Sequence, residues 1–472
     1  MAADLSPSAR VKAMEVAVVF SPDDYGKYLE RAGKTPHGDL AQGFAYSGSF
    51  AGRNIEVIYE KAEAAGVSLS LEEAATACFG SPGVKHVLIC GGFYVLHGKG
   101  PEPPPGIAPG SCETDGPLGV LALVRAFASR GVHASLFCDV HNGPVIQAGY
   151  ETMMQYVSSL DAGLAADLRR YSRCLPFVSD APPAEEAEEE KAAFLRLYSD
   201  TFPGETPDAT SLRCRALRLS VQLASALKAA WAEDSPGEVD CLFALERLGM
   251  PYRNIRGKHI GAHTEPVDCL WPLLDVAEQS GGSTGSSAAP CKRSAESIRA
   301  AAADEKMSSG TTASLRRVAG VKQDALTLAV GDGGNEVGLG KVAHLEAVAP
   351  LAPAGSEFVA LAVNGCYRTC DHLVLATVSN WGGSAFEMAS RVLFPAAVDY
   401  VGAMETSRRS LSDLEEQLLA AAVSAHAVDG ISSEMKRKVD GMPFEPHHRQ
   451  LYELLWTMSS TEGASEREVM GR

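Results

Sequence analysis

The stretch Ala329-Val330-Gly331-Asp332-Gly333-Gly334-Asn335-Glu336-Val337-Gly338-Leu339-Gly340-Lys341 decides how the rest of the chain is read. The apolar run from Ala325 to Val330 that leads into it reads as a buried strand, and five glycines in the ten residues after Val330 then free the backbone. Asp332, Asn335 and Glu336 are delivered into the same turn. Glycines let backbone N–H groups converge on an anion, while the two acids offer oxygens to a metal or a proton.

Working outward, the same pattern of an apolar strand ending in polar or glycine-rich turns recurs. Val84 to Cys90 is apolar and β-rich and ends in Gly91-Gly92; Ala134 to Cys138 ends in Asp139, followed by His141, Asn142 and Gly143. Between them Cys112-Glu113-Thr114-Asp115-Gly116-Pro117 opens a helical stretch, Leu118 to Ser129, with proline in its first turn. Asp240 to Leu248 reads as a strand or strand–helix edge containing Glu246-Arg247, and Phe358 to Val363 as another strand. His372 to Val378 is a buried strand that ends in Ser379-Asn380-Trp381-Gly382-Gly383 before a helix from Ser384 to Leu393. Strand–loop–helix units with acids at strand ends predict an α/β fold, a mixed or mostly parallel sheet flanked by helices, with the acidic and Gly-rich loops forming one pocket.

The helical stretches include Ser70 to Cys78, opened by Ser70 and Glu73, a long run from Ile146 to Leu175, another from Thr210 to Glu233, and a C-terminal helix with Ser412 and Glu415 as its capping box. Residues 1–83 read as a helical segment of the same domain, 84–279 and 313–459 as its two parts, 280–312 as a low-complexity insertion, and 460–472 as a disordered tail.

Composition narrows the function. The chain has 472 residues, 46% of them hydrophobic, and a net charge of −17. It lacks the clustered Lys and Arg that a nucleic-acid partner requires, and its apolar runs are broken by charge before they could span a bilayer. The expectation is a small-molecule enzyme with neither nucleic acid nor membrane as partner. Eleven scattered cysteines do not form a disulfide framework and fit a reducing compartment. With no presequence pattern at Met1-Ala2-Ala3-Asp4, the default location is the cytoplasm. Arg253 and Arg256, in the polar loop after Glu246-Arg247, are the local candidates for gripping a substrate carboxylate.

Taken together, Glu113-Thr114-Asp115-Gly116-Pro117, the Gly331-to-Lys341 stretch, Asp371-His372-Leu373 with Val378 to Gly383, and Val439-Asp440-Gly441 resemble the D-glutamate cyclase family, specifically the cyclase domain that is C-terminal in the animal mitochondrial enzyme and stands alone in microbes. The resemblance covers roughly Val84 to Leu455. It implies conversion of D-glutamate to 5-oxo-D-proline and water, with a divalent metal (Mg, Mn or Ca) in an acid-lined cavity, no nucleotide or redox cofactor, and a mitochondrial address as the alternative to the cytoplasm. One departure is that Glu246-Arg247 runs almost directly into Tyr252-Arg253-Asn254, where the family has a longer loop.

The reaction sets the requirements. The α-amine of D-glutamate must attack its own γ-carboxyl carbon, yet at neutral pH the amine is protonated and the carboxylate is a poor electrophile. A divalent cation would correct the second fault, and Glu113, Asp115, Asp139, Asp332 and Asp371 supply the hard oxygens that such a cation takes. Glu336, with Asp332 as the alternate, is assigned to move the proton. Backbone N–H groups of Gly333, Gly334, Gly382 and Gly383, with Asn335 and Asn380 as side-chain donors and Ser379 and Trp381 beside them, are expected to hold the substrate carboxylate and the developing oxyanion. Acid-held metal beside Gly-rich turns also suits a metal-dependent phosphatase or nucleotide enzyme, although Gly331 to Lys341 lacks the GKS or GKT ending of a P-loop. A non-catalytic amino-acid sensor is the third reading.

Overall fold

A computed structural model describes residues 5–19, 55–95, 110–180, 182, 185–208, 211–247, 273, 309–332, 337–343, 370–430, 432 and 434–460. Its centre is a sheet of six strands: β1 (His86–Gly91), β2 (His133–Leu136), β3 (Ser172–Cys174), β4 (Val239–Leu245), β5 (Val321–Gly331) and β6 (His372–Leu375). They lie in the spatial order β3-β2-β1-β4-β5-β6, and every neighbouring pair is parallel. The order reverses between β1 and β4, which makes the sheet doubly wound and opens a crevice at the carboxyl ends of those strands. All of β1 is buried, as is β4 apart from Asp240. Continuous apolar strands of this kind belong to sheets covered on both faces.

The helices that matter for the site are α1 (Pro7–Val19), α2 (Leu71–Phe79), α3 (Pro117–Ala128), α4 (Gly143–Leu160), α5 (Leu212–Ala230), α6 (Ser309–Ala319), α7 (Ser379–Leu393), α8 (Leu411–Ser424) and α9 (Arg449–Ser459). α3 and α7 lie side by side on the sheet, α3 over β1 and β2 and α7 over β4, β5 and β6. α1 and α9 cover α7, while α8 packs on α4, α9 and α3. Both inner helices are therefore enclosed: every residue of α3 is buried, as is every residue of α7 from Ser379 to Ser390. Their backbones meet, since a Cβ placed on Gly383 would stand 2.5 Å from the carbonyl oxygen of Gly119.

Enclosure has a polar exception. Arg125 in α3 is fully buried and donates from Nε to Glu387 Oε1 at 2.8 Å, and from Nη2 to Glu387 Oε2 at 2.7 Å and Glu415 Oε1 at 2.6 Å. Glu415 is thus not a capping residue. The box that starts α8 is Ser410 with Asp413, two residues earlier, and Glu415 turns inward to the arginine. Two other expectations shift. Ile146 to Leu175 is not one helix, because Asp161 caps a second one, Ala162–Tyr171, and β3 follows. The helix expected from Ser384 begins at Ser379. Asp440-Gly441, with φ of +53° and +78°, turns a hairpin between Lys438–Val439 and Met442–Pro443. The strand expected at Phe358 to Val363 and the insertion at 280–312 lie outside the described residues, apart from the part of α6 between residues 309 and 312.

Candidate functional site

Three carboxylates converge at the crevice. Asp115 precedes α3, Glu246 follows β4 and Asp332 follows β5, and one oxygen of each lies within 4.8 Å of the others. Their exposures are 1%, 4% and 1%, so the charges meet inside the protein rather than on a solvated rim. Each is delivered by a different element, and the local chemistry explains each delivery.

Asp115 is held by the start of α7. Its Oδ1 accepts from the Asn380 amide at 2.8 Å and from the Gly116 amide at 3.0 Å, and its Oδ2 accepts from the Ser379 amide at 2.9 Å. It thus caps a helix distant in sequence, while standing at the entry of its own. The amino-terminal ends of α3 and α7 both approach it, and their partial positive charge favours an acid there. Glu246 sits in the left-handed region, φ +51°, a strained conformation for a residue with a Cβ. Its Oε2 accepts the hydroxyl hydrogen of Ser379. Gly116, with φ of +100°, stands against it: a Cβ there would lie 3.0 Å from that of Glu246. Asp332 leaves β5 directly after Gly331, so its position is set by the sheet register.

Arg247 ties these ends together. One nitrogen, Nη1, donates to Asp139 Oδ2 at 2.7 Å, to Gly91 O at 3.1 Å and to Gly92 O at 3.4 Å, while its own carbonyl accepts the Val337 amide at 2.8 Å. The ends of β1 and β2 are therefore fixed to one buried guanidinium carried at the end of β4, and the chain returning beyond Asp332 is held by the same residue's carbonyl.

The donor set of the cluster is all carboxylate oxygen, which suits a hard divalent cation. Asp115, Glu246 and Asp332 are the residues that could hold one.

The family model for the D-glutamate cyclase-like C-terminal domain matches residues 46–283 and 300–455 of this chain. The chain belongs to that family. Human D-glutamate cyclase, mitochondrial, is 32% identical over 146 residues, a stretch that spans 28% of this chain and 22% of the human protein. The matched family segments contain all three clustered acids.

Within this cyclase-like domain, the other residues singled out in the sequence fall in several places. Gly333, Gly334, Asn335, Glu336, Arg253 and Arg256 lie outside the described residues. Asp139 is at the right edge of the sheet but is not brought into the cluster. Its Oδ1 accepts the amides of His141 and Asn142, at 2.8 and 2.6 Å, and its Oδ2 takes Arg247. Burial pushes its carboxyl up, but Arg247, His141 and the Asn142 amide outweigh burial and hold it below the usual range. Glu113 pairs through its backbone with Val428, and its carboxylate lies against Gly430. Asp371 is at the opposite edge. It precedes β6, is exposed, and its Oδ2 accepts from Thr327 N and Oγ1, both at 2.9 Å. Thr327 is five residues before Asp332 on one strand, a separation of roughly 16 Å at about 3.3 Å per residue.

Of the Ser379-to-Gly383 group, only Ser379 reaches the cluster with its side chain. The Asn380 amide group is used internally: its oxygen accepts from Gly116 N at 3.0 Å and Gly119 N at 2.8 Å, and its nitrogen donates to Thr114 O at 2.9 Å. Trp381 is 1% exposed and donates from Nε1 to His448 Nδ1 at 2.9 Å. Gly382 and Gly383 sit within α7, where they permit contact with Val330 and Gly119. The glycines thus serve packing, because the helix begins earlier than the polar run suggested. Glu246 and Arg247 are the residues not assigned from sequence. Their signal was an acid at the end of an apolar strand, the same signal that singled out Asp139.

Proposed function

We propose that the protein cyclises D-glutamate to 5-oxo-D-proline with release of water, at the Asp115–Glu246–Asp332 cluster and with a divalent cation held by those three carboxylates. The observation that carries this reading is the cluster itself, three buried acids within 4.8 Å at the switch point of a doubly wound sheet. Like charges so close in a dry site are favoured together only with a cation or with protons. Family membership and the name of the human relative supply the substrate class. Bound there, the cation would act as a Lewis acid toward the γ-carboxyl group.

The chain's own residues then have defined tasks. Amides of Ser379 and Asn380 fix Asp115, and the Ser379 hydroxyl fixes Glu246, so the ligand oxygens are oriented before substrate arrives. Burial of all three acids keeps bulk water from the reacting carbon. Glu336, four residues beyond Asp332 in sequence, is the proposed acceptor of the ammonium proton. Because nucleophile and electrophile belong to one molecule, holding the substrate curled removes much of the entropic barrier.

The test is to incubate purified protein with D-glutamate and Mg, Mn or Ca salts, with and without chelator, and to follow 5-oxoproline. Product should form with metal and stop with chelator. Asp332→Asn should weaken Mn binding measured directly by calorimetry and abolish turnover. Glu336→Gln should keep metal binding and lose roughly 10²–10⁴-fold in rate. Absence of 5-oxoproline with every divalent metal overturns the reading.

A further inference from the structure

A second pair of reactive groups lies two strands from the acid cluster. Cys138 follows β2 and Cys174 ends β3, and their sulfurs are 3.2 Å apart. That is closer than two sulfurs in simple van der Waals contact, and a disulfide needs them to close only to about 2.05 Å. The backbone around them is paired on both sides: Leu136 registers with Cys174, the Leu175 amide donates to Leu136 O at 2.9 Å and the Val178 amide to Cys138 O at 3.0 Å. The two strand ends are therefore held in register beside the thiols.

We propose that Cys138 and Cys174 are an oxidation site at which a hydroperoxide joins the two strand ends by a disulfide. The two thiols differ in access. Cys138 is buried and Cys174 half-buried, so the oxidant meets Cys174 first. The hydrogen bond to Cys174 and burial together push the Cys138 thiol well above the ordinary range, which keeps it protonated until its partner is activated. The Cys174 thiolate attacks one peroxide oxygen, giving a sulfenic acid and water or alcohol. Cys138 sulfur then attacks the sulfenic sulfur, forming the S–S bond and releasing water with the Cys138 proton. Two thiols lose two electrons and two protons in all, and the hydroperoxide is reduced.

The bond would form next to the site. Cys138 immediately precedes Asp139, whose carboxylate anchors Arg247. The proposal does not depend on the cyclase reading, because its readout is covalent.

The full chain is treated with hydrogen peroxide at equimolar to tenfold excess, alkylated and analysed by intact mass and peptide mapping. A loss of 2 Da, reversed by dithiothreitol, and a Cys138–Cys174 linked peptide are expected. The linkage should be absent in Cys174→Ser and in Cys138→Ser. Cys174→Ser alters a half-buried thiol and keeps the test usable if the buried variant fails to fold. Sulfinic acid or a thiol adduct on Cys174 with no linked peptide overturns the proposal, as does a linked peptide that persists in Cys174→Ser through other cysteines.

Discussion

At the scale of single residues the site depends most on Arg247, because one guanidinium nitrogen satisfies a carboxylate and two carbonyls belonging to two other strand ends. Replacing it leaves Asp139 ionised and buried without its counter-charge, a defect that costs roughly 3–5 kcal/mol. Arg247→Met should lower the free energy of unfolding in urea by about that amount, and Arg247→Lys should recover only part, since an ammonium lacks the planar fork and delocalised charge. An unchanged urea midpoint in Arg247→Met would show that the strand ends are held by other contacts. The same residue marks a limit of the sequence. Asp115 and Asp332 were legible because an acid at a strand end or before a helix is a local pattern. Glu246 and Arg247 carried a similar signal, yet which acids would meet and which would take the arginine depends on strand order. Asp371 shows the converse: it was next to an apolar strand, but at that strand's beginning, and in a parallel sheet this is the opposite edge from Asp332.

At the scale of elements the contact between α3 and α7 is decisive, because both helix starts supply groups that orient the acids. Their approach is limited by glycine: a methyl at Gly383 would meet the Gly119 backbone, which cannot rotate away as a side chain can. Gly383→Ala should destabilise by roughly 1–3 kcal/mol or more. If α7 is pushed outward, the amides on Asp115 move with it, so affinity for the cation proposed at the cluster should fall together with stability. A melting temperature equal to the parent's would refute close helix contact. Alanine at Gly204, where no atom lies within 4 Å, is the control for crowding, its effect being limited to strain at φ +84°. Five of the six sheet strands and most helices were readable from periodicity, and α3 was found within one residue of its observed bounds, whereas β3 fell inside an expected helix and β5, expected from Ala325, begins at Val321. The first turn of α7 was not, because Ser-Asn-Trp-Gly-Gly has the composition of a loop. Its helical state is stabilised by a capping carboxylate 264 residues away, a tertiary contribution invisible to local pattern.

At the scale of the whole molecule, buried titratable groups set how stability responds to pH. His86 and His448 are each lowered to about 4 by burial, backbone carbonyl partners opposing the shift. Both remain neutral in the folded protein where the unfolded chain would take up protons, so their contribution is present above pH 6.5 and is lost as pH falls toward 4. Glu415 behaves oppositely. Burial pushes its carboxyl up to about 7, Arg125 pulling against this and Glu387 adding to it, so the folded state keeps a proton that the unfolded state releases near 4.5. Its contribution is complete below 4.5 and is lost as pH rises through 7. Between these limits, near pH 5.5, unfolding takes up nearly two protons at the histidines and releases nearly one from Glu415. Glu415→Gln removes the release and leaves the uptake. The slope of unfolding free energy against pH near 5.5 should therefore be steeper in Glu415→Gln by about one proton, or roughly 1.4 kcal/mol per pH unit. Urea titrations at several pH values between 5 and 6 measure it, and groups common to both proteins cancel in the comparison. Parallel slopes would mean that Glu415 is ionised in the folded protein, with the buried arginine carrying two carboxylates at once.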